Sequence, residues 1–172
     1  SHRIDMNTTG LVIFAKNEES LNILLDKLKN HEIEKHYIAC VYGIPLNKAC
    51  TLESFLFKDR KKSIVYISDI PQKGYMPIKT SYKIIDKNIS NNLTLLDVTL
   101  YTGKTHQIRA HLSHMGLPIL GDTKYGSFDI NKKYNLNRQL LCSYSYKFNF
   151  ESDSEILTYL NGKKISLDKI PF

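Results

Sequence analysis

An aspartate near the start of the chain, Asp5, occupies a position where a catalytic carboxylate could be held. It follows a His-Arg-Ile stretch at residues 2–4 and precedes Met-Asn-Thr-Thr-Gly, which leads into an apolar run at residues 11–15. A loop carboxylate at the edge of a sheet can serve as a nucleophile. Only some carboxylates in such positions are catalytic, so the position alone does not establish an active site. The structural alternative is an Asx turn that joins Asp5 to Thr8. The local sequence leaves both interpretations open.

A second candidate site is the segment Gly-Lys-Thr-His-Gln-Ile-Arg at residues 103–109. A strand ends there, the glycine permits a tight turn, and a helix begins that carries Lys104, His106 and Arg109. Helix N-termini attract anions, and these basic side chains reinforce that field. A capped helix with exposed charges would show the same pattern.

The spacing of the histidines in this region disfavours a metal site. Ligands on one helical face need a spacing of three or four residues. His106 and His111 are five residues apart, so His106, His111 and His114 do not share a face, and the chain has no HExxH motif. We therefore predict that the protein binds no metal.

Tyr37 lies in a stretch, residues 36–42, that is typical of a strand. A tyrosine that alternates with small apolar residues belongs to a core more often than to a site. Its possible role in chemistry depends on whether Asp5 and Arg109 lie nearby in the folded chain.

Hydrophobic periodicity predicts the elements that must position these residues. Asn17 is the expected N-cap of an amphipathic helix over residues 18–31, and a second helix after residue 103 should end at Gly116. Residues 117–138 have the composition of a loop, and the C-terminal tail predicts a short helix, a turn and a strand. Strands are predicted at residues 11–15, 36–42, 63–68, 78–85, 93–100 and 139–150. Because hairpins outnumber βαβ units, we predict an α+β fold with a mixed, mainly antiparallel central sheet and flanking helices.

The chain is basic, which suggests a polyanionic partner. Its 172 residues include 24 Lys and Arg against 17 Asp and Glu, a net charge of +7. Residues 103–147 hold seven of the basic residues and two of the acids. We interpret the shorter basic run at residues 58–62 as a solvated face. The 11 Tyr and 7 Phe provide aromatic surface that can stack on bases.

Composition also excludes several classes of protein. No stretch approaches the roughly 20 apolar residues of a membrane helix, and the sequence shows no signal peptide, so we predict no membrane partner. Three cysteines without a CxxC motif argue against a disulfide framework and for a reducing cytosol. The length fits one domain.

Three motifs resemble those of the RluA family of pseudouridine synthases. HRID-MNTTG-LVIFAK, at residues 2–16, is similar to the family's H-R-L-D-x-x-T-S-G and the apolar strand after it. KHYIACVYG, at residues 35–43, is similar to its K-x-Y strand. GKTHQIRAHLSHMGLPILGDTKYG, at residues 103–126, is similar to its block from T-H-Q-I-R to G-D-x-x-Y-G. The motifs occur in the family's order, and together they are specific.

The sequence departs from the family pattern at single positions and at its start. Thr9 stands where serine is common, Lys104 where arginine is common, and Cys142 where the last strand often has histidine. Family members place further catalytic-domain residues before the first motif, often behind an RNA-binding S4 domain. The resemblance therefore implies that residues 1–172 form a single, partial catalytic domain.

The resemblance implies that the protein isomerises uridine to pseudouridine in structured RNA, without cofactor or metal. Large-subunit ribosomal RNA is favoured over transfer RNA as the substrate, and the expected location is the cytoplasm. The uracil is detached from C1′, rotated and rejoined through C5, so the base must first be flipped out of its helix. Attack on C1′, attack on C6 and abstraction of the 2′ proton are all open as the first step.

The resemblance also implies roles for individual residues. Asp5 is the nucleophile or base, and Arg109 pairs with it and favours its charged form. Tyr37 stacks on the uracil, with its hydroxyl available for the proton step at C5. The residues that would position the RNA are Arg3, Lys35, Lys104, His106, Gln107, Lys124, Lys132 and Lys133.

This mechanism requires one cleft. We expect a nitrogen of Arg109 within about 4 Å of an oxygen of Asp5, and Tyr37 on the same cleft. We expect the cleft to open toward the helix near Lys104 and the loop at residues 117–138.

Two functions of other classes stay open at this stage. A catalytically silent RNA-binding module would keep the basic groove and lose the chemistry, although Asp5, Tyr37 and Arg109 are all present. A nucleic-acid hydrolase would need a metal-binding cluster of carboxylates, and no second acid is grouped with Asp5 by motif.

Overall fold

An eight-stranded sheet is the frame of the structure, a computed structural model that describes residues 3–172. Ser1 and His2 lie outside the described residues. His2 is the first residue of the motif around Asp5. The strands are β1 (Thr9–Gly10), β2 (Ile33–Tyr42), β3 (Ala49–Asp59), β4 (Ile64–Ser68), β5 (Met76–Asn88), β6 (Leu93–Leu100), β7 (Leu141–Phe148) and β8 (Lys164–Ser166). The helices are α1 (Glu18–Lys29), α2 (Gln107–His114), α3 (Phe128–Lys133) and a 3₁₀ helix at Glu155–Leu160.

The strand order is β1-β7-β2-β6-β5-β3-β4, and β8 pairs with β7. The pairing of β1 with β7 is parallel and the other pairings in the described residues are antiparallel. The predicted α+β fold with a mixed, mainly antiparallel sheet is therefore confirmed. Between residues 3 and 172 no helix is long and apolar enough to cross a membrane; α1 has 12 residues.

The first helix begins where its sequence predicts. The side chain of Asn17 accepts a hydrogen bond from the backbone N–H of Ser20 at 2.8 Å, which satisfies one of the free donors at the helix start. In the last turn of α1, the buried Lys27 pairs at 3.0 Å with Glu32, which directly precedes β2, and so joins the helix to that strand. Burial would raise the pKa of Glu32, but hydrogen bonds from Lys27, Ser152 and nearby backbone N–H groups outweigh it and lower the pKa to about 2.

The central strand β2 carries the main core. Ala39 and Val41 are fully buried against Leu96 and Val98 of β6, and Leu112 of α2 covers them. Complete burial of a valine or leucine side chain stabilises a fold by about 1.5–3 kcal/mol. This packing fixes α2 on the sheet, and with it the segment at residues 103–109.

The prediction of a buried strand at residues 11–15 was wrong. The strand is β1, which ends at Gly10, and the following residues run past the sheet with Phe14 82% exposed. β8 occupies the same edge of β7 two residues further along, where Ser145 pairs with Ser166, so residues 11–15 find no free strand edge. The run has the composition of a strand, but its partner position is already taken.

Two further elements differ from the sequence prediction. The long strand β3 was not predicted, because its inward positions include the polar Ser54 and its outward positions include the apolar Phe55 and Phe57, so the hydrophobic alternation is weak. The loop predicted at residues 117–138 contains α3, which Ser127 caps through its side chain.

Candidate active site

A cleft of about 340 Å³ lies between the N-terminal segment, the middle of β2 and the start of α2. Among the described residues that line it, one is acidic, Asp5, and four are lysine or arginine. Those four are Arg3, Lys29, Lys35 and Lys104. The cleft therefore combines a single carboxylate with walls that attract polyanions.

Main-chain contacts hold the turn that carries Asp5. The backbone N–H of Thr8 donates to the carbonyl of Asp5 at 3.0 Å, and the side chain of Gln139 donates to Met6 O at 2.7 Å and to Thr8 Oγ1 at 3.2 Å. Gly10 has φ +107° and lies so close to the backbone of Ser143 that a Cβ would not fit. This turn is closed by the carbonyl of Asp5, which leaves the carboxylate to the cleft.

Arg109 links Asp5 to a second carboxylate that the sequence analysis did not single out. Its Nη1 lies 3.6 Å from Asp5 Oδ2, while Nε and Nη2 donate to the two oxygens of Asp122 at 2.7 and 3.0 Å. The ring of Tyr125 lies 5.3 Å from the guanidinium. Burial opposes the charge of Arg109, but the hydrogen bonds and charge of Asp122, together with Asp5, raise its pKa.

The carboxylates of Asp5 and Asp122 differ in solvent exposure. The side chain of Asp5 is 25% exposed, whereas that of Asp122 is fully buried. Burial would raise the pKa of Asp122, but Arg109 and the backbone N–H groups of Tyr125 and Lys124 lower it. Asp122 is therefore a fixed anion that orients Arg109, and Asp5 is the carboxylate that a substrate can reach. Asp122 and Tyr125 both belong to the Gly-Asp-Thr-Lys-Tyr-Gly motif at residues 121–126. That motif is the sequence feature from which both could have been identified as site residues.

Tyr37 lines the same cleft as Asp5. A register shift between His36 and Tyr37 interrupts the pairing of β2 with β7, and such bulges often redirect side chains beside active sites. Burial raises the pKa of Tyr37, while a hydrogen bond with the buried Ser143 acts in the opposite direction. At neutral pH its hydroxyl is therefore protonated and anchored. The structure thus places Asp5 and Tyr37 on one cleft, with Arg109 beside Asp5.

His106 contacts the same network from outside the cleft. It has φ +52°, and its Nδ1 lies 2.8 Å from the hydroxyl of Tyr125, which accepts a hydrogen bond from the backbone N–H of Val65. When that hydroxyl donates to Nδ1, the proton of neutral His106 is on Nε2. Burial and the charges of Arg109 and Lys124 lower the pKa of His106, against the opposing effect of Asp5.

The predicted RNA-binding residues separate into two groups. Arg3, Lys35 and Lys104 line the cleft, together with Lys29 and His31, which the sequence analysis missed. Lys29 and His31 follow one another closely at the end of α1, and no motif distinguishes them. The basic residues of the loop that was expected to face the cleft do not line it; these are Lys124, Lys132 and Lys133.

Gln107 was assigned to RNA binding, and it lines the cleft, but its amide has other partners within the protein. Its side chain is 2% exposed and all four hydrogen-bonding positions of its amide are used within the protein. The oxygen accepts from Thr102 Oγ1 and Lys104 N, and the nitrogen donates to Lys79 O and Thr80 Oγ1. Gln107 therefore fixes the turn before α2 and has no donor or acceptor left for RNA.

The three histidines near α2 have separate partners. His106 contacts Tyr125, His111 is buried against Thr80 and Ser54, and His114 pairs with Asp69. They do not converge on a common point.

Comparisons with known proteins agree with this geometry. A family model described as RNA pseudouridylate synthase matches residues 1–114, which include Asp5, Tyr37 and Arg109. The chain is 37% identical over 151 residues to ribosomal large subunit pseudouridine synthase C of Buchnera aphidicola subsp. Baizongia pistaciae, covering 86% of this chain and 47% of that protein. It is 34% identical over 172 residues to the protein of the same name from Rickettsia felis, covering 99% of this chain and 52% of that protein.

A solved structure shows the same fold. Human RNA Pseudouridylate Synthase Domain Containing 1 superposes with a TM-score of 0.79 at 18% identity, covering 98% of this chain and 67% of that one. The chain spans about half the length of the two bacterial relatives.

Proposed function

This chain belongs to the RluA family of RNA pseudouridine synthases, and from that premise we propose that it isomerises uridine to pseudouridine in RNA, with Asp5 as the catalytic carboxylate. The proposed substrate is large-subunit ribosomal RNA, since that is the substrate named for its bacterial relatives. We also propose a cytoplasmic location, which is consistent with that substrate.

The observation that supports this proposal best is the arrangement of Asp5 and Arg109 at the cleft. A partly exposed carboxylate, 3.6 Å from a buried guanidinium, is aimed by a group that cannot itself lose its charge. The hydrogen bonds of Arg109 to Asp122 leave only one of its nitrogens for Asp5. Asp5 is thus held in place without being fully neutralised, as a carboxylate that reacts with substrate requires.

The other residues of the cleft fit the same reaction. The bond between C1′ and N1 of the uridine breaks, the uracil rotates, and a bond forms between C1′ and C5. The hydrogen on C5 leaves as a proton, and N1 takes up a proton, so the product is an isomer of the substrate. We assign Tyr37 to the uracil, with its ring stacked on the flipped base and its hydroxyl in the proton step. Arg3, Lys35 and Lys104 would hold the phosphates beside the flipped nucleotide. Contacts of Lys132 and Lys133, on α3, with RNA outside the cleft remain a prediction.

The experiment that tests this proposal follows the hydrogen on C5. An unmodified large-subunit ribosomal RNA transcript containing 5-tritiated uridine should release tritium to water on incubation with the protein. Asp5→Asn keeps the size of the side chain and removes its charge, so release should fall by more than a thousandfold, about 4 kcal/mol in the barrier, while RNA affinity stays nearly unchanged.

The matched control is Asp129→Asn, which changes an exposed acid of α3 and should release tritium at the wild-type rate. Turnover of Asp5→Asn within tenfold of wild type would exclude Asp5 as the catalytic residue. Absence of release by wild type, with RNA binding intact, would instead support an RNA-binding module. Release that depends on a divalent metal would contradict the proposed mechanism.

A further inference from the structure

His36 lies between two carboxylates on the face of the sheet opposite the cleft. It precedes Tyr37 in β2, and side chains alternate between the two faces along a strand. Its Nδ1 is 2.8 Å from Asp97 Oδ1 of β6, and its Nε2 is 2.5 Å from Glu34 Oε1 of its own strand. Ionised carboxylates only accept hydrogen bonds, so both contacts are hydrogen bonds when each ring nitrogen carries a proton. The arrangement therefore fits His36 as a cation.

The charged groups around His36 favour this protonated form. The ring is 19% exposed, and among the described residues its ion pairs are those with Asp97 and Glu34. The hydrogen bond with Asp97, with a smaller contribution from Glu34, raises the pKa of His36 above its ordinary value of 6.5, although burial acts in the opposite direction. The side chains that stand opposite this group in the strand register are Lys83 on β5, Ser145 and Lys147 on β7, and Lys164 on β8, opposite Lys147.

The contact from His36 to β6 lies where the pairing of β2 with β7 is interrupted. That pairing shifts register between His36 and Tyr37, with Tyr144 of β7 as the extra residue. On its other side β2 pairs regularly with β6, where Tyr37 stands opposite Val98, the neighbour of Asp97. The bond from His36 to Asp97 thus joins the two strands next to Tyr37, at the bulge beside the cleft.

Loss of one proton would break one of the two contacts of His36. A neutral imidazole has a single N–H, so its other nitrogen would turn a lone pair toward a carboxylate oxygen. At separations of 2.5 and 2.8 Å these groups repel each other, and one carboxylate must move away. Deprotonation therefore loosens the link between β2 and β6, or the hold of His36 on its own strand, beside Tyr37.

We propose that His36 is a positioning residue, which as a cation fixes the bulge of β2 and so holds the hydroxyl of Tyr37 in the cleft. This inference rests on the proposed function for the reaction that Tyr37 serves. His36 is not among the described residues that line the cleft, so it acts on the reaction only through its neighbour.

The raised pKa gives the direction of the pH dependence. His36 is charged at pH 6.5 and below, and it loses its charge as the pH rises through the raised pKa. Its contribution to turnover is therefore complete at low pH and is lost at high pH.

The test compares two replacements of His36. H36R keeps a positive charge and several N–H donors for the two carboxylates, whereas H36Q has one NH₂ group and no charge. H114Q is the matched control, because His114 also pairs with a carboxylate, Asp69, but does so from the last turn of α2. Circular dichroism and thermal melting confirm that the variants fold.

Steady-state tritium release between about pH 6 and 9 then gives kcat and KM for each protein. The ratio of kcat in wild type to kcat in H36R should fall roughly fivefold or more as the pH rises, with KM unchanged. H36Q should show the low kcat already at pH 6.5, and H114Q should follow wild type throughout. A ratio that stays constant over this range would overturn the inference.

A double-mutant cycle tests whether His36 acts through Tyr37. In the background of Tyr37→Phe, H36Q should lower kcat less than about twofold further, because the hydroxyl that His36 positions is already absent. The same fivefold loss in both backgrounds would show that His36 acts on turnover by another route, and would also overturn the inference.

NMR spectroscopy separates this inference from the proposed function. The ring resonances of Tyr37 should shift with the midpoint of the His36 titration in wild type and stay constant in H36R. If wild type releases no tritium, the proposed reaction is wrong, and these resonances alone decide whether His36 positions Tyr37. Tyr37 resonances that do not follow the His36 titration would reject the positioning role, even in an active enzyme.

Discussion

Arg109 is bound more closely by Asp122 than by Asp5. The two hydrogen bonds to Asp122 measure 2.7 and 3.0 Å, whereas the contact to Asp5 measures 3.6 Å. A bidentate pair of this type fixes the plane of the guanidinium as well as its position. Asp122 is thus a positioning residue, since it is buried and acts on the candidate nucleophile only through Arg109.

Asp122→Asn should therefore lower turnover without preventing RNA binding. The substitution leaves the guanidinium of Arg109 with a neutral amide on one side, so the arginine is free to move toward Asp5. We expect tritium release to fall at least a hundredfold and RNA affinity to change less than threefold. Removing one partner of a buried ion pair should also cost about 3 kcal/mol in the free energy of unfolding. Asp129→Asn again serves as the control, and full activity of Asp122→Asn would show that Arg109 is oriented by other contacts.

Tyr37→Phe should separate the two roles assigned to that residue. The ring remains to stack on uracil, but the hydroxyl and its hydrogen bond with Ser143 are lost. Turnover should fall at least tenfold while RNA affinity is retained, and Tyr37→Ala should lose both. Tyr101→Phe, at a partly exposed tyrosine of the same cleft, should leave both quantities unchanged. Equal losses in the two phenylalanine variants would argue against a special role for the Tyr37 hydroxyl.

The buried histidine of α2 predicts a specific pH dependence of stability. His111 is fully buried between Thr80 Oγ1 and Ser54 Oγ. Burial, with a smaller effect of His114, lowers its pKa from 6.5 to about 4. Between these values the unfolded chain binds a proton that the folded chain does not. The contribution of His111 to the free energy of unfolding is therefore complete above pH 6.5 and decreases as the pH falls to about 4.

Urea denaturation at several pH values measures this effect. The loss from His111 approaches about 3 kcal/mol, at about 1.4 kcal/mol for each pH unit. His111→Gln should flatten the dependence between pH 6.5 and 4, whereas His31→Gln, at an exposed position, should not. A wild-type profile retained in His111→Gln would assign the titration to another group.

Gly121 precedes Asp122 and should tolerate no side chain. Its φ is +80°, and a Cβ would lie 2.0 Å from the carbonyl oxygen of Arg138, a backbone atom that cannot move aside. Gly116 has a similar φ of +75° with nothing within 4 Å of a Cβ. Gly116→Ala should thus cost only the backbone strain, about 1 kcal/mol. Gly121→Ala should cost several times more in thermal or urea unfolding, and similar costs for the two would mean that the chain near Arg138 relaxes.

Helices α1 and α2 and the candidate catalytic residues could be predicted from the sequence because their signals are local. Asn17 and the leucine spacing after it define the start and the buried face of α1 within a few residues of chain. Gly116, with its positive φ, ends α2 as predicted. Asp5, Tyr37 and Arg109 stood in short motifs whose order along the chain already indicated one site.

Tertiary structure alone determined which partners these residues have. Residues 11–15 have the composition of a strand, yet β8, about 150 residues later, takes the edge that they would need. Asp122 looked like an isolated acid in a loop until the fold placed it on Arg109. Lys58 of the basic run at residues 58–62 found its partner, Thr105, only in the folded chain. Capping and periodicity act over one or two helical turns, whereas a strand edge, a buried ion pair or a shared surface depends on which distant segments pack together.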